Sequence, residues 1–302
     1  MIPQRNLSLL SNRLVRKSGR RIPEGILERD YCLSWFLIGL SYSPLKDILL
    51  FKGGTCIKKC YIPDYRFSED LDWTLAKESH FENIQKNLDI VFKRIYQDSG
   101  IRMSFARYDR YTHENSYTFF LGYEGPLPGA TGKNVKVDIT IKEKVVFPVK
   151  KKPVLKGYDE YVDLPENNLI HAYSLDEIAA EKIVALLDIA RNEPRDLYDL
   201  WYLATNQHVN IEGLVSAVEE KWKFRGKKLT DVREEFLRKE PRLNKLWNIR
   251  LSSQVSILPE FGEVYRKVQR ELRQAGLLKQ GKKDKLSKKR GQEKYGKTRS
   301  CA

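Results

Sequence analysis

"FKGGTCIKKCYIPDYRFSEDLDWTL", residues 51–75, holds a glycine pair, two acids spaced Asp-x-Asp and an apolar run within one short segment. The preceding "DILLF" (47–51) has the length of a strand and runs into Gly53 and Gly54, and the residues from Thr55 to Cys60 read as a helix opening at those glycines. A strand ending in two glycines at a helix start bares backbone N–H groups, and no side chain keeps an anion away from them. "DLDWTL" (70–75) reads as the next strand, with Leu71, Trp73 and Leu75 on one face and Asp70, Asp72 and Thr74 on the other. Two carboxylates on one face repel unless a cation lies between them, and hard oxygen donors suit Mg²⁺. The alternative is an edge strand with both acids in solvent.

A third acid fits the same scheme. "VKVDITIK" (135–142) alternates Val135, Val137, Ile139 and Ile141 against Lys136, Asp138, Thr140 and Lys142. If this strand joins the same sheet, Asp138 can stand beside Asp70 and Asp72, and three such carboxylates can hold two metal ions for phosphoryl or nucleotidyl transfer. Alternation alone equally allows a solvent-facing acid flanked by lysines.

Around this centre the chain divides by character. Residues 24–42 read as a buried helix and 78–99 as an amphipathic one, through Phe81, Ile84, Leu88, Val91, Phe92 and Ile95. "IRMSFARY" (101–108) and "SYTFFLGY" (116–123) are further strands. A loop is expected at about 150–170, with helices only beyond it. "SLDEIAAEKIVALLDIAR" (174–191) opens with Ser174 as N-cap and Glu177 three residues on, and Pro194 occupies a first-turn position in "PRDLYDLWYLAT". Further helices are expected at 210–223, 229–240 and 259–275. The cluster of Tyr198, Trp201 and Tyr202 reads as core packing, and His171 and His208 receive no role.

The bulk numbers set the class. The chain has 302 residues, 41% hydrophobic and 11% aromatic, and a formal net charge of +15, which describes a folded protein with an affinity for polyanions. Residues 276–300 alone hold ten Lys or Arg against two acids. The longest apolar run, "YCLSWFLIGLSY" (31–42), falls short of the roughly 18 residues that a membrane span needs, and no signal sequence is evident, so a cytoplasmic location without membrane contact is expected. The four cysteines form no disulfide framework; Cys56 and Cys60 have half a zinc spacing with nothing to complete it, and read as buried thiols.

The stretch "RDYCLSWFLIGLSYSPLKDILLFKGGTCIKKCYIPDYRFSEDLDWTL", with "DEIAAEKIVALL" and "RDLYDLWYL" downstream, resembles the AbiEii/AbiGii-type nucleotidyltransferase toxins in four segments taken in order over about 29–203. The resemblance implies an α+β chain with a DNA polymerase beta-like nucleotidyltransferase core and a mixed sheet, followed by an all-helical C-terminal domain. The expected domains are a helical segment (1–44), the core (45–168), a helical domain (169–275) and a disordered basic tail (276–302). Carried over by residue, Gly53, Gly54 and Thr55 match the phosphate-cradling turn, Asp70 and Asp72 the metal-binding pair, and Asp138 looks like the third carboxylate. Lys182 matches a lysine that would hold the triphosphate, unless it snorkels to solvent and pairs with Glu181 or Asp188. Asp196 matches the functional acid of the last motif; Asp199 is its companion, or a salt-bridging residue. Arg66 and Ser68 belong to the signature with a role in orienting the acids. The fifteen residues between Gly54 and Asp70 exceed the spacing in the wider superfamily.

The activity so implied is transfer of NMP from an NTP to an acceptor hydroxyl with Mg²⁺ or Mn²⁺, RNA and in particular the tRNA 3′ end being the favoured acceptor. A toxin role with a separately encoded antitoxin comes with the family. The alternatives are a small-molecule nucleotidyltransferase of the antibiotic-modifying kind and a non-catalytic nucleic-acid-binding module.

Overall fold

The computed structural model describes residues 1–111, 114–129, 132–227 and 232–278. The described residues gather into two compact units, Met1–Ile178 with Arg250–Leu258, and Ala179–Ile249 with the described residues from Pro259 on.

The first unit opens with two helices, α1 (Gln4–Ser18) and α2 (Glu24–Ser41). From Asp30 to Ser41 every residue of α2 is buried, which is why that stretch of sequence carries no polar face. Then follow β1 (Leu49–Lys52), α3 (Gly53–Cys60), β2 (Leu71–Leu75), α4 (Phe81–Ser99), β3 (Arg102–Tyr108), β4 (Ser116–Glu124) and β5 (Asn134–Thr140). Helix α4 buries Ile84, Leu88, Val91 and Ile95, one stripe at helical spacing.

Two more strands correct the expected loop at 150–170 and the expectation of helices alone beyond it: β6 (Lys150–Pro153) and β7 (Leu169–Ala172). Lysines fill three of the four positions of β6, a composition that hides a strand from hydrophobic periodicity. The topology explains it, because β6 is an edge strand, where lysine discourages pairing with another chain. In β7 the alternation is legible afterwards, with Ile170 and Ala172 buried.

The sheet order is β3-β4-β5-β2-β1-β7-β6. Neighbours are antiparallel except β2 with β5 and β1 with β7. The sheet is therefore mixed, as expected. Its central strand is β2, whose Trp73 packs against Phe51 of β1 with ring centroids 4.6 Å apart and planes tilted by 33°. The segment 250–258 is tied to the stretch before β2: Phe67 N–H donates to the Gln254 carbonyl at 2.8 Å, and Arg66 Nη1 donates to Gln254 Oε1 at 3.0 Å.

The remaining helices are α5 (Leu175–Leu187), α6 (Pro194–Asn206), α7 (Val215–Phe224), α8 (Val232–Leu251) and α9 (Phe261–Gln274). Ser174 caps α5, its hydroxyl accepting from Glu177 N–H at 3.1 Å, while the Glu177 carboxylate receives the N–H groups of Val146 and Phe147. Helix α8 overruns the expected end at residue 240, carrying Pro241 inside it; residues 229–231 of that expectation lie outside the described residues. Within the second unit Phe236 of α8 stacks on Tyr265 of α9 at 5.2 Å, and Tyr198 of α6 packs near Trp247. The aromatic cluster on α6 is thus core on its Tyr198 side. The basic tail lies outside the described residues from 279, whereas Leu277 and Leu278, assigned to that tail, are buried. Among the described residues no helix is long and apolar enough to cross a membrane.

Candidate active site

The glycine pair lies between β1 and α3, where the chain must turn sharply against its neighbour strand. Gly53 has φ +77°, a left-handed conformation that other residues adopt at a cost. A β-carbon there would collide with the Asp72 carboxylate, and one on Gly54 would come within 2.5 Å of Arg66 Nη2 and 3.3 Å of Ser68 Oγ. The glycines therefore serve two ends: they make the turn, and they let β2 and the signature residues Arg66 and Ser68 close on it. Helix α3 has no side-chain cap at its N-terminus, so its first-turn N–H groups suit an anion. Thr55 is buried and donates its hydroxyl to the Asp70 carbonyl at 2.5 Å. That bond fixes the start of α3 to the residue before β2.

The acids follow from strand register. Asp72 in β2 is the direct partner of Asp138 in the parallel strand β5, and of Lys52 in the antiparallel strand β1. Asp138 in turn faces Thr118 of β4, whose hydroxyl lies 3.4 Å from Asp138 Oδ2. A polar row thus crosses the sheet: Lys52, Asp72, Asp138, Thr118. Lys52 is nearly buried, donates to Thr140 Oγ1 at 3.0 Å and lies over the Tyr173 ring. No sequence expectation attaches to Lys52, which directly precedes Gly53; a lysine at the end of an apolar strand is the signal that marks it. Asp70 sits one residue ahead of β2, half-buried. Oxygen donors of this kind fit a divalent cation, and the register sets two of them side by side. The three carboxylates do not form a gathered ligand set, however: among the described residues no group of three or more His, Cys, Asp or Glu side chains is arranged to hold a metal ion.

Beneath the turn, α3 carries two buried lysines. Lys59 pairs with Asp30 of α2 at 2.8 Å and donates to Ser34 Oγ. Lys58 donates to the carbonyls of Pro63 and Tyr65 and to Tyr158 Oη, between the rings of Phe67 and Tyr158. Burial pushes its ammonium down to about 8. Lys58 holds the Tyr65 carbonyl, next to Arg66; in sequence a Lys pair on a short helix reads as solvated, which hides both lysines. Burial also pushes the Cys56 thiol well up.

In the second unit, Lys182 of α5 lies between two acids of α6, 2.7 Å from Asp196 Oδ1 and 2.8 Å from Asp199 Oδ2. Both aspartates are buried, and Asp196 also receives Arg191 Nε at 2.5 Å. Burial raises the Asp196 carboxyl, but Lys182 and Arg191 outweigh it and hold it below its ordinary range. Lys182 therefore does not snorkel to solvent, and Asp188 pairs instead with Lys227. Asp199 bridges two helices, where the sequence reading allowed a salt bridge within one.

A mixed sheet carrying a glycine turn against in-register carboxylates is a scaffold suited to metal-assisted phosphoryl or nucleotidyl chemistry. The profile of the AbiEii nucleotidyl transferase toxins of type IV toxin–antitoxin systems matches residues 35–272, and the chain belongs to that family. Family membership brings with it a separate antitoxin partner. Among solved structures the chain is similar to MenT4, a nucleotidyltransferase toxin from Mycobacterium tuberculosis H37Rv. The two are 16% identical with a TM-score of 0.59, over 91% of this chain and 92% of that one. No curated protein matches.

Proposed function

We propose that this toxin transfers a nucleotidyl group from an NTP to a hydroxyl of RNA, with the tRNA 3′ end as the favoured acceptor, in the presence of Mg²⁺ or Mn²⁺. The observation that carries the reading is the register of Asp72 with Asp138 beside the uncapped start of α3. In it, the N–H groups of the Gly53–Thr55 turn receive the triphosphate. Asp72 and Asp138, in register on neighbouring strands, with Asp70 drawn in beside them, would hold the divalent cation, which when bound would supply charge to stabilise the departing pyrophosphate. Asp138, in register with Asp72 on the neighbouring strand, is the proposed acceptor of the proton of the attacking hydroxyl. The net charge of +15 favours a polyanionic acceptor over a cationic antibiotic. Lys182 and Asp196 keep what the family motifs imply, a lysine for the triphosphate and the functional acid of the last motif; the two are paired with each other. A cytoplasmic site of action follows from an RNA substrate.

The test is incubation of the protein with each α-labelled NTP, Mg²⁺ and total tRNA, beside an Asp70→Ala/Asp72→Ala variant. Label on RNA with wild type only is the expected result, and it identifies the nucleotide. NTP binding without label on RNA would move the acceptor to a protein or small molecule and overturn the RNA reading.

A further inference from the structure

The carboxylate face of the sheet continues past Asp138 into β4 and β3, and there it changes chemistry. Lys136 shares the face with Asp138, being two residues away on β5. Its partner across β4 is Phe120. Along β4 the neighbours of Phe120 on that face are Thr118 and Gly122, so one aromatic ring stands among small residues, on the face away from the buried Phe119, Leu121 and Tyr123.

Arg107 comes to the same face through an irregularity. Phe105 pairs with Leu121, yet Arg107 pairs with Phe120, so Ala106 is an extra residue in β3. A bulge of this kind re-aims the side chain that follows it. Without it, strict alternation would oppose Ala106 to Phe120 and turn Arg107 to the other face. With it, the Arg107 guanidinium lies 3.7 Å from the centre of the Phe120 ring, and Arg107 itself is exposed. Lys136 Nζ, on a side chain 40% exposed, is 3.9 Å from both Asp138 Oδ2 and Asp109 Oδ2, at the outer edge of pairing distance.

We propose that Lys136, Phe120 and Arg107 form the seat of the unpaired end of the acceptor RNA, with Lys136 on a phosphate and the stacked Arg107–Phe120 pair under a base. Arginine planes and aromatic rings are the surfaces on which single-stranded bases stack, and a lysine beside them is a point charge for the backbone. The sheet order decides between acceptor and NTP. The glycine turn lies at β1, the carboxylates on β2 and β5, and this strip on β5, β4 and β3. Donor and acceptor thus approach the carboxylates from opposite sides, as in-line displacement requires. The strip spans two strand spacings, roughly 10 Å, which accommodates a terminal nucleotide and its neighbour. This inference rests on the RNA-acceptor reading above.

The experiment measures fluorescence anisotropy of a 5′-labelled RNA hairpin with a short unpaired 3′ end, and of the same hairpin made blunt. It is run over a range of KCl with the full-length protein and without NTP. The wild type should prefer the unpaired end. Arg107→Ala and Phe120→Ala should each weaken binding of that hairpin by about tenfold while leaving the blunt one unchanged. Phe120→Trp should retain it, which separates stacking from misfolding. Lys136→Gln should weaken binding and lower the salt slope by about one. NTP affinity, followed by calorimetry, should stay at the wild-type value in all four variants. Equal RNA affinity across the variants overturns the assignment and leaves the strip to a protein ligand. A parallel loss of NTP affinity overturns it in favour of a nucleotide seat. No RNA binding by the wild type, with NTP binding intact, sinks the RNA-acceptor reading itself and the strip with it.

Discussion

Gly53 lies so close to Asp72 that a β-carbon has no room between them. The turn residue and the first in-register carboxylate are one packed unit, and the left-handed φ of +77° at Gly53 adds a second reason for glycine. Gly53→Ala should cost about 1–2 kcal/mol of stability from the backbone alone. Its effect on transfer should be larger, because the added methyl displaces Asp72, and a shift of about 1 Å at a reacting centre costs on the order of a hundredfold. Denaturant unfolding beside a turnover assay measures both. A variant with wild-type turnover would show that Asp72 has no positional role.

Asp72 and Asp138 face each other directly on neighbouring strands, a like-charge pair that the sheet tolerates at a cost. Asp138→Asn should therefore raise the melting temperature without metal, by the equivalent of about 0.5 kcal/mol, while abolishing transfer. Wild type should be stabilised by Mn²⁺ or Mg²⁺ and the variant much less, since a ligand that binds only the folded state raises its stability. Equal metal responses in the two proteins would remove Asp138 from the cation site.

Much of this centre was legible in the sequence, for a physical reason. Period-two alternation fixes which residues of "DLDWTL" and "VKVDITIK" share a face, and a glycine pair after an apolar run marks a turn, a common signal that gains meaning only beside the Asp-x-Asp strand. What stayed hidden depends on register and on distant chain. Nothing in the spacing of Asp72 and Asp138 shows that their strands are parallel neighbours. Gln254, which pairs with Arg66 at 3.0 Å, is 188 positions away. Strand β6 was missed because its edge position selects lysine over apolar residues, and the facing of Arg107 turns on a bulge at Ala106 that carries no glycine to announce it.

The ion cluster of α5 and α6 makes an acid-side prediction. Asp196 is buried and held below its ordinary value of 3.8. A depressed carboxylate contributes stability that is fully present above its unfolded value and is lost as pH falls through the folded one. Asp196→Ala should cost about 3 kcal/mol at neutral pH, since it strips Lys182 and Arg191 of a shared buried partner. The gap between variant and wild type should shrink as pH drops below 3.8. Urea midpoints across that range decide it; a gap independent of pH would mean that the loss is one of packing.

Lys58 makes the opposite prediction on the alkaline side. It is enclosed by two carbonyls, a tyrosine hydroxyl and two rings, and burial pushes it from 10.5 down to about 8. Below pH 8 the folded protein bears the whole cost of a buried ammonium, roughly 3 kcal/mol. Between 8 and 10.5 the unfolded chain holds the proton that the folded one has released, so this group's contribution to stability rises with pH. The thiols of Cys32 and Cys56, pushed up by burial, act in the other sense over the same range, so absolute stability does not isolate the lysine. The difference between wild type and Lys58→Met does. From about pH 7.5 to about pH 9.5 the wild type should gain roughly 2 kcal/mol on the variant, measured by denaturant midpoints at matched ionic strength. Parallel curves would mean that Lys58 keeps its proton, and that its carbonyl and ring contacts outweigh the loss of water.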